Sequence, residues 1–179
     1  MPFAVRARVC LLRDLGSALA PDNAFAIIQG LETVALRMKQ HCENAGQVVN
    51  FLKKHKEVTK VIYSTEHEKK IADRAKKYLK GGNGPMVGIE LKGGIEAGKK
   101  FIESLKMFYH VANIGDARSL AIHPASTTHS QLNEKELAAS GVTQSYVRLC
   151  IGIEHIDDII DDLDQALNKS SKGNLKAVS

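Results

Sequence analysis

The sequence is poor in aromatic side chains: phenylalanine, tyrosine and tryptophan make up 5% of its 179 residues, and tryptophan is absent. Its net charge is nonetheless +5, with much of the basic excess in residues 53–80. Proteins that bind single-stranded nucleic acid combine a basic groove with aromatic platforms on which bases stack. Here the basic residues are interleaved with acids such as Glu66, Glu68 and Asp73. We therefore expect a solvated helix face and no nucleic-acid partner.

Long apolar runs and paired cysteines are missing as well. No apolar run approaches the roughly 20 residues that a membrane span requires, and the first residues do not match the pattern of a secretory signal. The three cysteines, Cys10, Cys42 and Cys150, are odd in number and far apart. This spacing favours neither a disulfide framework nor a zinc site. We expect no membrane partner and no bound metal, and a location in the reducing cytoplasm.

The apolar pattern divides the chain into four parts. A first helix ends at Gly16 and has no apolar partner nearby, and Asp22 or Asn23 then provides the N-cap of a second helix. Apolar or small residues recur every three or four positions from Ile27 to Leu52, which predicts one long helix. The predicted parts are the end of another domain (1–20), a long linking helix (21–56), an α+β domain (57–168) and a flexible tail (169–179).

Within the α+β domain, strands and helices follow one another without a long parallel βαβ series. The alternation and the helical spacing predict strands at 58–63, 86–92, 109–114, 119–122 and 146–152, and helices at 66–79, 95–108, 134–139 and from 156 onwards. We predict an α+β fold: a largely antiparallel sheet with helices mainly on one face, preceded by the long linking helix.

Three motifs come close to catalytic patterns without matching them. Residues 93–100 follow a phosphate-loop spacing but lack the final Ser or Thr that holds magnesium. His123 and His129, six positions apart, match no standard zinc spacing. Asp116, Ser119 and His123 supply the residue types of a hydrolase triad, but no G-x-S-x-G motif is present. Gly98 of the first motif would sit inside the predicted helix at 95–108, and we interpret the residues of the other two motifs as loop hydrogen-bonding groups.

Arg148 is the more informative residue. In the predicted strand at 146–152, side chains alternate across the sheet. Val147, Leu149 and Ile151 must face the helices, so Arg148 lies on the opposite face together with Tyr146. A guanidinium there suits a carboxylate, which it can bind through two parallel hydrogen bonds. The alternative is a structural ion pair with one of the many acids.

Three segments together carry a family resemblance: LLRDLGSALAPDNAFAIIQGLETVALRMKQHCENA (11–45), ANIGDARSLAIHPASTTHSQL (112–132) and YVRLCIGIEHIDDIIDDLDQAL (146–167). The chain resembles the C-terminal part of the O-acetylhomoserine sulfhydrylase family, within the pyridoxal-phosphate-dependent enzymes of cysteine and methionine metabolism. The NIGDARSL form, with Asn113 and not Ser, favours the sulfhydrylase branch over cystathionine synthases and lyases.

The resemblance implies the small C-terminal domain of a fold-type I enzyme that works as a homotetramer. It implies that Arg148 and Asn113 bind the substrate α-carboxylate, and that Ser126, Thr127 and Thr128 line the active site. The implied reaction joins O-acetylhomoserine and sulfide into homocysteine and acetate, in methionine biosynthesis.

Pyridoxal phosphate is the implied cofactor, and it needs a lysine for its Schiff base, an acid against its ring nitrogen and a cup for its phosphate. In the family these groups belong to a large domain upstream. The only Thr-Lys pair of this chain, Thr59-Lys60, follows HKEV and lacks the family's Gly-His a few positions later. We therefore expect this chain to be inactive alone and to have the missing large domain as its partner.

Two other functions stay open at this level. The chain can be a non-catalytic α+β module that binds an amino acid or a protein partner. It can also be the same domain of a related cystathionine synthase or lyase.

Overall fold

A computed structural model describes residues 2–171 and divides the chain into two units, Met1–Leu36 and Arg37–Ser179. The first unit is helical throughout its regular parts. Its elements are α1 (Pro2–Arg6), a π-helical turn (Ala7–Leu12), α2 (Arg13–Leu15), α3 (Pro21–Glu32) and the start of α4 (Val34–Leu52). Gly16 ends α2 in the left-handed conformation (φ 69°), as the sequence predicts for a helix C-terminus.

The predicted linking helix over 21–56 is two helices that end earlier. Thr33 leaves helical geometry (φ −110°, ψ 5°) between α3 and α4, in keeping with the low helix propensity of a β-branched residue. The N-cap of α3 is Ala20 and not Asp22 or Asn23, because Pro21 has the fixed φ that suits the first helical position. After Leu52 the chain turns through short-range backbone hydrogen bonds.

The second unit is built on one five-stranded sheet. Its strands are β1 (Val58–Ile62), β2 (Met86–Leu91), β3 (Tyr109–His110), β4 (Leu120–Ile122) and β5 (Tyr146–Cys150), in the spatial order β1-β2-β5-β4-β3. All neighbours pair antiparallel except β3 and β4, which pair parallel. The strand predicted at 109–114 is only two residues long in the structure, Tyr109–His110. The chain from 111 to 119 is a connecting loop.

The helices of this unit are α5 (Lys69–Tyr78), α6 (Gly94–Ser104), α7 (Glu134–Ala139) and α8 (Ile156–Ser171). One core joins the C-terminal half of α4, α6 and α8 to one face of the sheet. Its fully buried members include Val48, Leu52, Ile89, Phe101, Leu149, Ile159 and Leu163. The predicted α+β architecture, with helices mainly on one face, is confirmed.

The C-terminal ends of α6 and α8 differ from the predictions, for different reasons. α6 ends at Ser104, since the Asp162 carboxylate of α8 accepts the backbone N–H groups of Lys106 and Met107. α8 continues through 169–171, where a flexible tail was predicted, and Ser170 is buried with its hydroxyl donating to the Leu167 carbonyl at 2.7 Å. The remaining part of that prediction, 172–179, lies outside the described residues.

Candidate functional site

Strand β5 presents Arg148 on the sheet face away from the helices. Val147 and Leu149 are completely buried against the core, while Tyr146 and Arg148 are only half-buried on the other face. This is the arrangement that strand alternation predicts. β5 is the central strand of the sheet, between β2 and β4, so Arg148 stands on the most firmly held part of it.

The guanidinium of Arg148 has a neutral partner. Its Nη2 donates a hydrogen bond to the backbone carbonyl of Asn113 at 3.2 Å. Within residues 2–171, no carboxylate lies within 4.0 Å of this guanidinium, so the structural ion pair considered above has no partner in that range. The structure brings Arg148 and Asn113 together, with Asn113 contributing its backbone.

Arg148 also lines an open pocket of about 350 Å³ on this sheet face. The pocket has an apolar lining from Ile62, Ile71 and Met86, and Tyr146 stands beside Arg148. Burial raises the pKa of the Tyr146 phenol above its usual value, and the positive charge of Arg148 acts in the opposite direction. The phenol is therefore protonated at neutral pH and able to donate a hydrogen bond.

The three hydroxyl residues predicted to line the site bond within their own loop. Thr127 Oγ1 donates to the carbonyl of His123 at 2.9 Å. Thr128 Oγ1 lies 2.9 Å from His129 Nδ1, and Ser126 Oγ lies 2.8 Å from His123 Nδ1. None of the three hydroxyl residues lines the Arg148 pocket.

His123 is the buried centre of that loop, a structural role that the sequence motifs did not predict. Its Nε2 lies 2.8 Å from the Gln144 carbonyl, which can only accept, so Nε2 carries the proton and Nδ1 accepts from the Ser126 hydroxyl. Burial is the main reason that the pKa of His123 is lowered, so the neutral ring is favoured. Gly98 lies against this ring, and a Cβ there would collide with it. A glycine inside an amphipathic helix was the one sequence signal of this close approach.

The residues of the apparent triad bond to different partners. Ser119 is fully buried, and its backbone N–H and hydroxyl donate to the Glu154 carboxylate at 2.7 and 2.9 Å. Asp116 accepts the backbone N–H of Arg118 at 3.1 Å. The interpretation of these side chains as loop hydrogen-bonding groups agrees with this geometry.

Other kinds of site find no support in the described part of the chain. Across residues 2–171, no three His, Cys, Asp or Glu side chains are grouped as a metal site requires. The same range contains no helix that is both long and apolar enough to cross a membrane. Cys10, Cys42 and Cys150 are free thiols.

These features define an α+β domain with an arginine at an open pocket on its sheet. Comparison with known proteins identifies the family of this domain. The chain belongs to the Cys/Met metabolism PLP-dependent enzyme family, whose model matches residues 3–168. It is 52% identical over 166 residues to the O-acetyl-L-homoserine sulfhydrylase of Leptospira meyeri, covering 92% of this chain and 38% of that protein. It is 43% identical over 159 residues to an L-methionine gamma-lyase of Fusobacterium nucleatum, covering 88% of this chain and 40% of that protein.

A solved structure has the same fold. It is a putative O-acetylhomoserine (thiol)-lyase from Campylobacter jejuni that contains a pyridoxyl-lysine monophosphate. The TM-score is 0.85 at 43% identity, and the match covers 93% of this chain and 40% of that one. The chain thus spans about two fifths of the length of the relatives it matches.

The family depends on pyridoxal phosphate, but the Arg148 pocket does not by itself fit this cofactor. Among residues 2–171, no lysine lines the pocket to form a Schiff base, and no carboxylate lines it to face a pyridine nitrogen. All lysines in residues 2–171 are at least partly exposed. The pocket instead suits a small anion with an apolar chain, because the Arg148 guanidinium lies beside the aliphatic side chains of Ile62, Ile71 and Met86.

Proposed function

We propose that this chain is the C-terminal, substrate-binding part of a pyridoxal-phosphate-dependent O-acetylhomoserine sulfhydrylase. The reaction replaces the acetate of O-acetylhomoserine with sulfide and yields homocysteine, a step of methionine biosynthesis. The observation that supports this proposal is the Arg148 guanidinium, held by the Asn113 carbonyl and free of carboxylates among residues 2–171, at the mouth of an apolar pocket.

In this proposal Arg148 orients the substrate. Its planar fork binds the α-carboxylate through two parallel, charge-assisted hydrogen bonds. The hydrogen bond to Asn113 restricts the rotation of the guanidinium, so less freedom is lost when the substrate binds. We propose that Ser126, Thr127 and Thr128 line the part of the active site outside the Arg148 pocket.

The cofactor chemistry is supplied by a partner. We propose that a large domain provides the Schiff-base lysine and the phosphate cup, and that the active assembly is a homo-oligomer, a tetramer as in the family. A cytoplasmic location agrees with three free thiols, because that compartment keeps cysteines reduced.

The second candidate is a γ-lyase activity of the same active site, which the gamma-lyase relatives favour. A third is a non-catalytic amino-acid-binding or protein-interaction module. The three differ in an assay of the assembly that contains this chain. A sulfhydrylase releases acetate from O-acetylhomoserine only with sulfide, a lyase releases a thiol from methionine, and a module does neither.

The decisive variants are Arg148→Lys and Arg148→Ala in that assembly. Loss of a buried charge partner costs about 2–5 kcal/mol, which is about 30- to several-thousand-fold in kcat/KM. Lysine retains the charge and loses the fork, so it restores only part of the activity. If Arg148 only positions the carboxylate, the loss falls on KM; if it also aligns the Cα–H bond, kcat falls too.

Arg118→Ala is the matched control, because its guanidinium stacks 4.7 Å over the Tyr109 ring and does not line the pocket. We expect this variant to retain the steady-state constants of the unmodified enzyme. A folded Arg148→Ala enzyme with unchanged kcat/KM for O-acetylhomoserine would contradict the proposed role.

A further inference from the structure

We propose that Tyr146 determines specificity for the acyl ester of the substrate: its hydroxyl donates a hydrogen bond to the ester carbonyl while Arg148 binds the carboxylate. This inference rests on the proposed function and adds a recognition group for the other end of the substrate. Three observations support it: the Tyr146 ring lies over Gly88 of β2, its hydroxyl has no hydrogen-bond partner among residues 2–171, and the pocket beside it has aliphatic walls.

Tyr146 and Arg148 are held at a defined separation. They are two positions apart on one face of β5, which places their Cα atoms about 6.6 Å apart along the strand. Gly88 of β2 lies directly opposite Arg148 in the strand register. A Cβ at Gly88 would lie 2.6 Å from Cε2 and 2.9 Å from the hydroxyl oxygen of Tyr146. The Tyr146 ring therefore extends over Gly88, and its hydroxyl lies above this glycine. Gly88 is the strand partner of Arg148, so the hydroxyl lies on the side of β5 that faces β2.

The hydroxyl of Tyr146 is available for a ligand. Among residues 2–171 it has no hydrogen-bond partner, although the ring is half-buried. Tyr63, which lines the same pocket, differs in this respect: its hydroxyl donates to the Gly84 carbonyl at 2.9 Å. The pocket thus contains one phenol occupied by the fold and one phenol that can donate to a bound molecule.

The aliphatic lining of the pocket suits the methylene groups in the middle of the substrate. In O-acetylhomoserine a four-atom spacer separates the carboxylate from the acyl carbonyl, and its two middle carbons are methylenes. Ile62 and Met86 provide aliphatic surface beside these two residues, where the methylenes lose contact with water.

The test compares two ligands on the full 179-residue chain by amide chemical-shift titration. O-acetylhomoserine has the ester, and 2-aminobutanoate has the same carboxylate and amine without it. We expect Tyr146→Phe to weaken O-acetylhomoserine about 3- to 10-fold, the loss expected for one neutral hydrogen bond. Binding of 2-aminobutanoate stays unchanged in this variant, and Arg148→Lys weakens both ligands.

Two further variants separate the hydroxyl from the fold. Gly88→Ala displaces the Tyr146 ring and should reproduce the selective loss of O-acetylhomoserine. Tyr63→Phe removes the neighbouring phenol, which is already bonded to Gly84, and should leave the ratio of the two affinities unchanged.

The outcomes distinguish this inference from the function on which it rests. If Tyr146→Phe weakens both ligands equally, or neither, while Arg148→Lys weakens both, the ester-binding role of Tyr146 is overturned and the carboxylate site stands. If the unmodified chain binds neither ligand, or if Arg148→Lys leaves both affinities unchanged, the carboxylate site fails and the inference fails with it.

Discussion

His123 shows how one buried ring fixes the geometry of a loop. The neutral form satisfies both nitrogens, with Nε2 donating to Gln144 and Nδ1 accepting from Ser126. Protonation would place a second donor against the Ser126 hydroxyl and a charge in a buried site. Of the nearby charged groups, Lys99 and His110 lower the pKa of His123 and Glu96 raises it.

This burial predicts a pH-dependent free energy of unfolding. Because the folded pKa of His123 lies below its usual value of 6.5, the unfolded chain binds the proton first as the pH falls. The contribution of His123 is fully present above about pH 6.5 and is lost as the pH falls through its folded pKa. Urea denaturation from about pH 7.5 to about pH 5 measures the change.

His123→Gln is the matched variant, since an amide can donate at one end and accept at the other without titrating. We expect a shallower pH dependence in this variant. An equal slope in both proteins would assign the effect to other groups.

The ends of the elements depend on contacts across the fold. The Asp162 carboxylate accepts the backbone N–H groups of Lys106 and Met107 at 2.8 to 3.1 Å, and it also receives the amide of Gln165 at 3.0 Å. One side chain of α8 thereby stops α6 and directs the chain towards β3.

Asp162→Asn should destabilise the second unit by about 1.5–3 kcal/mol, the usual contribution of hydrogen bonds to a charged acceptor. The loss arises because an amide offers one acceptor oxygen for several donors. The measurement is the free energy of unfolding in urea, with Asp161→Asn on the exposed side of α8 as the control. If Asp162→Asn is as stable as the control, the turn after α6 does not depend on the Asp162 carboxylate.

Features with local causes could be predicted from the sequence, and features with distant causes could not. Strand alternation around Val147 and Leu149 predicted the face on which Arg148 lies. Spacing alone could not predict the end of α6, because Asp162 acts from more than fifty positions away. The role of Tyr146 was equally hidden, because it depends on the strand register that places Gly88 under the ring.

At the scale of the whole molecule, the first unit presents apolar side chains that nothing in its own helices covers. None of its helices up to Glu32 buries a residue. Phe25 is 65% exposed, and Leu15, Leu19, Leu31 and Leu36 are exposed as well. Apolar surface of this kind usually marks an interface.

We expect the chain to self-associate with rising concentration, as measured by light scattering. Phe25→Glu should weaken the association by tenfold or more, because burying one such side chain contributes about 1.5–3 kcal/mol. Tyr78→Glu is the control, since Tyr78 is 71% exposed on α5 in the second unit. A chain that stays monomeric at high concentration, or two variants with equal effects, would contradict an interface on the first unit.

The position of β5 has a consequence for synthesis on the ribosome. β5 is the last strand among residues 2–171 to be translated, yet it lies in the middle of the sheet, between β2 and β4. Until it emerges, the nascent chain holds two separate strand pairs, each with an open edge that attracts other strands. Closure of the sheet therefore waits for long-range pairing, which is slow compared with local helix formation. We therefore expect unwanted pairing between nascent chains to be most favourable before Cys150 has left the exit tunnel.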